Sequence, residues 1–277
     1  MKIDQHTTLY GVAGYPLGHT LSPVMHNLAF SSRGVNAVYL AFETRDIEGA
    51  IRGMKALGIK GMSITIPHKS SVIPLLDEMD PLAEKIGAVN TIVNCEGRLT
   101  GYNTDAFGAL KALEQAAALP GKNCLVVGAG GAARAIAFIL KEHNARVTIA
   151  NRTRERGQAL ADAVGCPFIP LEAVKSVPAD ILVQTTSVGM HPRGDQSVIP
   201  ADCLKPGMVV MDIVYNPVFT RLLSTAEGAG CTTVSGLGMF VHQGAEQFKL
   251  WTGLDAPVEA ITEAVAKALA KDLGSKA

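Results

Sequence analysis

Short apolar runs alternate with amphipathic segments along almost the whole chain, and this alternation limits the fold more than any other feature. The first series has apolar or β-branched runs at 8–14, 37–42, 61–65 and 88–93, with helical spacing at 24–34 and 46–58. The second has apolar runs at 123–127, 146–150, 180–184 and 208–213, with helical patterns at about 131–142 and 218–228. Alternation of this kind predicts an α/β fold built on mostly parallel sheets.

The chain length and the C-terminal segment indicate how this fold divides. A chain of 277 residues suits two domains of ordinary size better than one. The last part of the sequence carries helical patterns at about 239–251 and 257–272 and no further strand. The second series closes without these helices, whereas the first sheet needs cover. We therefore predict a substrate domain of residues 1–105 plus 239–277, to which the C-terminal helices return, and a Rossmann-like dinucleotide-binding domain of residues 106–238.

The charge balance and the cysteines limit which ligands and which cellular compartment suit the protein. Lys plus Arg equals Asp plus Glu at 25 each, so no positive field attracts nucleic acid or anionic membranes. The five cysteines lie far apart, which argues against a disulfide framework or a metal site, and we expect reduced, mostly buried thiols. The sequence has no signal-peptide pattern and no apolar run long enough to span a bilayer. We expect a cytoplasmic protein with a small-molecule substrate, either a monomer or a homodimer.

The segment 128-GAGGAA-133 follows an apolar run and precedes a helical pattern, which is the context that a dinucleotide-binding loop requires. Gly128 permits the tight turn. Gly130 lets backbone N–H groups approach a pyrophosphate at the positive end of the helix. Ala133 takes the third small position of the motif. These features predict a dinucleotide site rather than a turn without a ligand.

The residues after the next apolar run favour one dinucleotide over the other. An NAD site normally has an acidic residue where Asn151 or Arg152 stands, and that residue binds the ribose 2′-hydroxyl. A guanidinium there binds a 2′-phosphate through charge-assisted hydrogen bonds. Arg152 therefore favours NADP, Thr153 adds a hydroxyl, and Arg156 reaches the same phosphate from the next helix. We expect Arg154 to be solvated.

Four polar stretches stand out in the first series, each expected at or just after a strand end: 18-GHTLSP-23, 63-SITIPHK-69, 88-AVNT-91 and 101-GYNTD-105. Open parallel sheets bind their ligands at that edge. The stretches supply hydroxyls, an amide, a lysine and a carboxylate that suit a small polyol carboxylate: Thr20, Ser22, Thr65, Asn90, Lys69 and Asp105. Structural interpretations stay open, with Ser22 and Asp105 as helix caps, Thr65 and Asn90 bonding backbone groups, and Lys69 on the surface.

Together, these stretches resemble the shikimate dehydrogenase family. The resemblance extends along essentially the whole chain, through GYPLGHTLSP, TIPHK, GAVNT, GYNTD, GAGGAA, NRT, TTSVGM, DIVYNP and GLGMFVHQGAEQF in the family order. It implies an NADP-dependent oxidoreductase that reversibly reduces 3-dehydroshikimate to shikimate, a step of chorismate and aromatic amino acid biosynthesis.

The resemblance also implies roles for the matching residues. Lys69 would be the catalytic acid/base, with Asp105 as its titratable partner. Thr20 and Ser22 would bind the substrate carboxylate. The ring hydroxyls of the substrate would be held by Thr65, Asn90, Asp105 and Gln243, and Tyr215 would lie near the substrate. The cofactor would bind Gly128, Ala129, Gly130, Gly131, Ala132, Asn151, Arg152, Thr153 and Arg156, with Ile213 and Gly236 near the nicotinamide. The histidines of the matched stretches, His19, His68 and His242, are expected to be structural.

One departure from the family pattern leaves the substrate open. The first stretch usually reads H-S-x-S-P, whereas this chain has threonine at position 20. A methyl-sized change in a binding site shifts discrimination by about 1–3 kcal/mol, enough to alter the preference between shikimate and quinate. Two alternatives are therefore kept: an enzyme that also oxidises quinate, with relaxed substrate or NAD use, and a catalytically inactive cofactor-sensing protein.

Overall fold

The computed structural model describes residues 3–18, 20–191 and 193–274. The chain packs as two compact units, Met1–Thr104 with Gln243–Ala277 and Asp105–His242. The predicted return to the first domain is at residue 239, whereas the packing puts it after His242, inside a continuous helix.

The first unit is built on a six-stranded sheet in the order β2-β1-β3-β5-β6-β4. Its strands are β1 (Thr8–Gly14), β2 (Ala37–Glu43), β3 (Gly61–Ile64), β4 (Glu78–Met79), β5 (Thr91–Cys95) and β6 (Arg98–Tyr102). Strand β1 pairs in parallel with β2 and β3, and β4 pairs in parallel with β6. Strand β5 is antiparallel to both of its neighbours. The sheet is therefore mostly parallel, as predicted, with one reversed strand.

The second unit is built on a six-stranded sheet in the order β12-β11-β10-β7-β8-β9, and all its pairings are parallel. Its strands are β7 (Asn123–Val127), β8 (Arg146–Asn151), β9 (Phe168–Pro170), β10 (Ile181–Gln184), β11 (Val209–Asp212) and β12 (Thr232–Ser235). Counted from β7 as the first strand, this is the 3-2-1-4-5-6 order of the Rossmann fold. The predicted fold class is confirmed.

Nine α-helices connect and cover the sheets in the described part of the chain. They are α1 (Ser22–Ser32), α2 (Ile47–Ala56), α3 (Pro81–Ile86), α4 (Thr104–Glu114), α5 (Gly131–Glu142), α6 (Arg154–Val164), α7 (Arg221–Gly228), α8 (Gly236–Thr252) and α9 (Val258–Gly274). Helix α2 shows the usual local causes: the Asp46 side chain accepts the Gly49 N–H, and Ile47, Ile51 and Met54 bury one face. No described helix is long and apolar enough to cross a bilayer.

The C-terminal part of α8 packs on the first sheet, as the sequence predicts. The Trp251 indole N–H donates to the carbonyl of Ile92 at 3.0 Å, and its ring lies 5.3 Å from that of Tyr10. Glycine is required at position 61, because a Cβ there would be 2.3 Å from the Trp251 Nε1. Helix α9 packs against α1 in the same unit.

Some details differ from the sequence-based expectations. Strands β4, β6 and β9 are not among the expected apolar runs. Strand β6 forms a hairpin with β5 through Glu96 and Gly97, which both have positive φ, at 53° and 90°. A two-residue loop with two such residues is the turn that fits tightly paired antiparallel strands. All five cysteines are free, as expected, but only Cys124 is buried and Cys95 is exposed.

Candidate functional site

Some of the predicted substrate residues, Thr65 and Asn90 among them, lie at one edge of the first sheet, partly because β5 is reversed. Strand β3 ends at Ile64, and Thr65 follows it directly. Ser63 pairs with Thr91, and Thr91 pairs with Tyr102, so the start of β5 and the end of β6 lie beside the end of β3. The stretch 88-AVNT-91, expected at or just after a strand end, lies instead at the start of β5. The antiparallel direction of β5 nevertheless brings it to the ligand-binding edge.

Backbone hydrogen bonds fix the loop that carries Lys69. The Thr65 N–H donates to the Ala13 carbonyl at 3.0 Å, and the His68 N–H donates to the Thr65 carbonyl at 2.9 Å. The Val89 N–H donates to the Lys69 carbonyl at 2.8 Å, which ties Lys69 to the segment before Asn90. The Lys69 and Thr65 side chains are both half-buried.

The structure describes two of the three histidines in the matched stretches. His68 is buried, and its Nε2 lies 3.0 Å from the Thr44 carbonyl, which makes it a structural residue, as expected. His242 is partly exposed, and its Nε2 lies 3.2 Å from Gln115 Nε2. His19 lies outside the described residues.

The Asn90 side-chain amide has one defined orientation. Its Oδ1 accepts the backbone N–H of Thr104 at 2.8 Å and the hydroxyl of Thr91 at 2.8 Å. A backbone N–H can only donate, so Oδ1 must face Thr104 and Nδ2 is the donor. Nδ2 donates to Thr104 Oγ1 at 3.0 Å and lies 3.5 Å from Gln243 Oε1. Asn90 and Gln243 thus lie together in the buried part of this edge.

Thr20 and Ser22 place two hydroxyl groups together at the start of α1. Thr20 Oγ1 lies 3.3 Å from Ser22 Oγ and 3.4 Å from the Ser22 N–H. Helix α1 begins at Ser22 itself, and its N-cap is Leu21, without a side-chain cap bond. The interpretation of Ser22 as a helix cap is therefore wrong. Paired hydroxyls at a helix N-terminus suit an anionic group.

Asp105 is buried, at 7% exposure, in the first turn of α4. Because α4 begins at Thr104, Asp105 is inside the helix rather than at its N-cap. The capping interpretation is wrong here too. Asp105 is also the first residue of the second unit.

The glycine loop has the geometry of a pyrophosphate site. Gly128 has φ +124°, and a Cβ there would lie 2.3 Å from Thr185 Oγ1, so only glycine fits. Gly130 precedes α5 without a side-chain cap bond, and a Cβ there would meet nothing within 4 Å. Gly130 and Gly131 are exposed, so the start of α5 is open to an anion. Ala133 is fully buried, which allows α5 to lie close to the sheet.

Arg152, Arg154 and Arg156 are exposed at the end of β8 and the start of α6. They make no ion pair with any residue that the structure describes. Thr153 is the N-cap of α6 without a side-chain cap bond, and Asn151 Nδ2 donates to its carbonyl at 2.7 Å. Positive side chains at a helix N-terminus are unfavourable by about 0.3–1 kcal/mol unless an anion is present. The arrangement fits a bound phosphate.

Ile213 and Gly236 are in direct contact beyond the ends of β11 and β12. A Cβ at Gly236 would lie 2.3 Å from the Ile213 carbonyl oxygen, so a side chain here would separate them. The ring of Tyr215 stacks on Phe240 at 4.7 Å, and burial raises the pKa of its phenol. These residues stand at the carboxyl edge of the second sheet, where α/β folds bind ligands.

Asp212 is a buried carboxylate that the sequence reasoning missed. Its oxygens accept from the Val214 N–H at 3.0 Å, the Gln184 side-chain amide at 3.1 Å and the Thr220 hydroxyl at 2.7 Å. Burial is the main effect and raises the pKa of this carboxyl from 3.8 to about 6. Asp212 thus anchors the segment that carries Ile213 and Tyr215. In the sequence, Asp212 is the one acidic residue of the run 208–213 and the first residue of the matched stretch DIVYNP.

The second unit combines a Rossmann sheet, a glycine loop before a helix without a side-chain cap, and exposed arginines at the end of the next strand. Together these features define a dinucleotide-binding protein. Family models match residues 12–92 (shikimate dehydrogenase substrate binding domain), 110–214 (shikimate / quinate 5-dehydrogenase) and 236–266 (shikimate 5'-dehydrogenase C-terminal domain). The shikimate dehydrogenase (NADP(+)) of Moorella thermoacetica is 45% identical, over 93% of this chain and 92% of its own. The chain belongs to the shikimate dehydrogenase family.

Solved structures agree with this assignment. A shikimate dehydrogenase in complex with NADP+ superposes with a TM-score of 0.94 at 41% identity, covering 97% of this chain and 98% of the other. The shikimate 5-dehydrogenase of Thermus thermophilus, in complex with NADP(H) and shikimate, gives 0.89 at 39% identity, covering 95% and 100%. The resemblance found in the sequence is confirmed.

Proposed function

We propose that the protein is an NADP-dependent shikimate dehydrogenase, which reversibly reduces 3-dehydroshikimate to shikimate in chorismate and aromatic amino acid biosynthesis. The observation that carries the proposal is the cluster of Lys69, Thr65 and Asn90 at one sheet edge, in a chain 45% identical along nearly its whole length to such an enzyme. The first unit is assigned to the substrate and the second to the dinucleotide.

The proposed substrate contacts follow the chemistry of each side chain. Thr20 and Ser22 bind the carboxylate, because their hydroxyls lie together at a helix N-terminus. Asn90 donates from its oriented Nδ2, and Gln243, Thr65 and Asp105 bind the remaining ring hydroxyls. Tyr215, whose half-buried ring stacks on Phe240, is assigned to the substrate as well.

In the proposed reaction, NADPH supplies the hydride that reduces the carbonyl carbon. The protonated Lys69 ammonium stabilises the negative charge that develops on the carbonyl oxygen and then donates its proton to it. In the reverse direction, neutral Lys69 takes the proton from the hydroxyl. Asp105 accepts a hydrogen bond from the same hydroxyl and orients it. The backbone bond between Val89 and Lys69 keeps the lysine near the ring-binding amide.

The proposed cofactor contacts use the open N-terminus of α5 and the exposed arginines. The segment from Gly128 through Ala129, Gly130 and Gly131 to Ala132 holds the pyrophosphate. Arg152 binds the 2′-phosphate, helped by Arg156 and the Thr153 hydroxyl, while Asn151 holds the turn through its bond to the Thr153 carbonyl. Ile213 and Gly236 lie against the nicotinamide.

The proposal extends to the setting of the enzyme. We assign it a cytoplasmic location, which suits five free cysteines in a reducing compartment. Its partners are small molecules rather than nucleic acid or membranes, and it acts as a monomer or a homodimer.

A second candidate is an enzyme that oxidises quinate as well as shikimate. Thr20 is the observation that favours it, because its hydroxyl is next to Ser22 and it carries a methyl group that the usual serine lacks. One of the matching family models covers both shikimate and quinate enzymes.

A steady-state assay that crosses shikimate and quinate with NADP and NAD tests both candidates. The proposal expects the highest kcat/KM with shikimate and NADP. Comparable values for quinate would favour the second candidate. The absence of turnover with either substrate, at high enzyme concentration, would favour the cofactor-sensing protein and overturn the proposed activity.

A further inference from the structure

A group of buried polar side chains packs next to Asn90, and none of its members is assigned above to the substrate or the cofactor. Its members are Gln247 on α8, Ser63 on β3, Tyr39 on β2, His26 on α1 and Thr91 on β5. All are buried, with Gln247 at 2% and His26, Tyr39 and Thr91 at 0% exposure. One of them, Tyr39, also hydrogen-bonds Ser22. Buried polar groups are costly unless each is satisfied, so the direction of every hydrogen bond matters.

The Gln247 amide oxygen is the acceptor of this network. The Tyr39 hydroxyl donates to Ser63 Oγ at 2.6 Å, and the Ser63 hydroxyl donates onward to Gln247 Oε1 at 2.9 Å. His26 Nε2 lies 3.1 Å from the same oxygen, while His26 Nδ1 has no hydrogen-bond partner among the described residues. His26 therefore carries its proton on Nε2 and donates it. Burial lowers the pKa of its imidazole to about 3, so the ring is neutral.

The Gln247 amide nitrogen is the donor, and its hydrogen bonds connect the network to Asn90. It donates to Thr91 Oγ1 at 2.9 Å and to the Asn90 carbonyl at 3.3 Å. The Thr91 hydroxyl donates in turn to Asn90 Oδ1 at 2.8 Å, and it lies 3.2 Å from the Thr104 hydroxyl. The Gln247 amide cannot flip without breaking bonds at both of its ends. Two donors thus fix the orientation of the Asn90 amide, because the Thr91 hydroxyl and the Thr104 N–H both donate to its Oδ1.

We propose that Gln247 is a positioning residue for the substrate site, acting through Thr91 to keep the Asn90 Nδ2 toward the substrate ring. The substrate part of this proposal rests on the proposed function. Gln247 is one helical turn beyond Gln243 on α8, so a single helix supplies both a ring-binding amide and the amide that orients its neighbour.

Variants of Gln247 and of Thr91 test this role. Gln247→Met keeps the volume and removes the amide, and Thr91→Val removes only the hydroxyl that reaches Asn90. Thr91→Ser restores that hydroxyl. Phe248→Leu is the matched control for stability, because Phe248 is fully buried on the same helix and packs on Phe30 at 5.4 Å, outside the network.

We expect Gln247→Met and Thr91→Val to raise the KM and the calorimetric Kd for shikimate about tenfold, the loss of one well-oriented hydrogen bond. The KM for NADP should stay within about twofold. Thr91→Ser should behave like the wild type, and Phe248→Leu should lower Tm without changing the Kd. The proposal is overturned if the first two variants keep the wild-type Kd, or if Phe248→Leu weakens shikimate binding equally at a similar loss of Tm.

A measurement without substrate separates this proposal from the proposed function. In 15N-labelled protein, the two side-chain N–H resonances of Asn90 should be sharp and distinct in the wild type and in Phe248→Leu. They should shift or broaden in Gln247→Met and Thr91→Val. Unchanged Asn90 resonances in these two variants would overturn the positioning role. A wild type with the expected spectrum that fails to bind shikimate would instead overturn the proposed function alone.

Discussion

Replacing Asp212 by asparagine should change how the stability of the protein depends on pH. Asp212 is completely buried, and its carboxyl pKa rises from 3.8 to about 6, mainly through burial. The folded state therefore holds this proton more tightly than the unfolded chain does. The stabilisation from the protonated carboxyl is fully present below about pH 3.8 and is lost as the pH rises through about 6.

The size of this effect follows from the change in proton affinity. At about 1.36 kcal/mol for each tenfold change, ionised Asp212 costs the folded state roughly 3 kcal/mol at neutral pH, as an upper estimate. Asparagine carries no charge, and it can still accept from Gln184 and Val214 through Oδ1 while Nδ2 donates to Thr220 Oγ1. The Thr220 hydroxyl must then find another acceptor, at a cost of about 1 kcal/mol.

Urea unfolding of both proteins at several pH values between about 4 and 7 measures the difference directly. The free energy of unfolding of Asp212→Asn, relative to the wild type, should increase by about 1–3 kcal/mol over this range. Thr220→Val removes a hydrogen bond that lowers the Asp212 pKa. The free energy of unfolding of this variant should therefore decrease more with rising pH than that of the wild type. A difference between Asp212→Asn and the wild type that is constant with pH would refute the reasoning.

The remaining predictions concern the proposed activity. Lys69→Ala should lower kcat at least ~100-fold with a smaller change in KM, since a positioned acid/base is lost; unchanged turnover would remove Lys69 from the mechanism. Arg152→Asp should reduce the preference for NADP over NAD, as a ratio of kcat/KM, by at least ~10-fold, whereas Arg154→Asp should leave it nearly unchanged. Equal effects of the two substitutions would contradict the assignment of the 2′-phosphate to Arg152. Thr20→Ser, which restores the usual family residue, should change the shikimate-to-quinate ratio by about 10-fold, and an unchanged ratio would exclude Thr20 as a determinant of substrate choice.

Four strands of the second sheet, β7, β8, β10 and β11, could be predicted closely because their signals are local. The run 123–127 and the helix at 131–142 coincide with β7 and α5, since a buried parallel strand and an amphipathic helix each have their own periodicity. The glycine loop between them has a sequence signature for the same reason. Its positive φ at Gly128 and its open position at Gly130 are properties of a few adjacent residues.

The first sheet was predicted less completely because strand direction is not a local property. The stretch 88–93 has the apolar content of a strand, but the strand begins at Thr91 and runs antiparallel to β3. The hairpin makes β6 antiparallel to β5, and its turn at Glu96 and Gly97 is a weak signal beside an Asn-Gly turn. The capping interpretations of Ser22 and Asp105 failed similarly, since each helix begins one residue or more earlier than its sequence pattern.

Asp212 and Gln247 could not be predicted because their partners are distant in the sequence. Gln247 bonds Thr91 across 156 residues and Ser63 across 184, so only the folded chain brings the three together. Asp212 depends on Gln184, 28 residues earlier, and on Thr220.

The central claim is that this chain oxidises shikimate with NADP. The most direct measurement is the initial rate of NADPH formation, followed by its absorbance, with purified protein, shikimate and NADP. The proposed function predicts saturable turnover that depends on both compounds and is far slower when NAD replaces NADP. No NADPH formation at high enzyme concentration, from a protein shown to be folded, would contradict it.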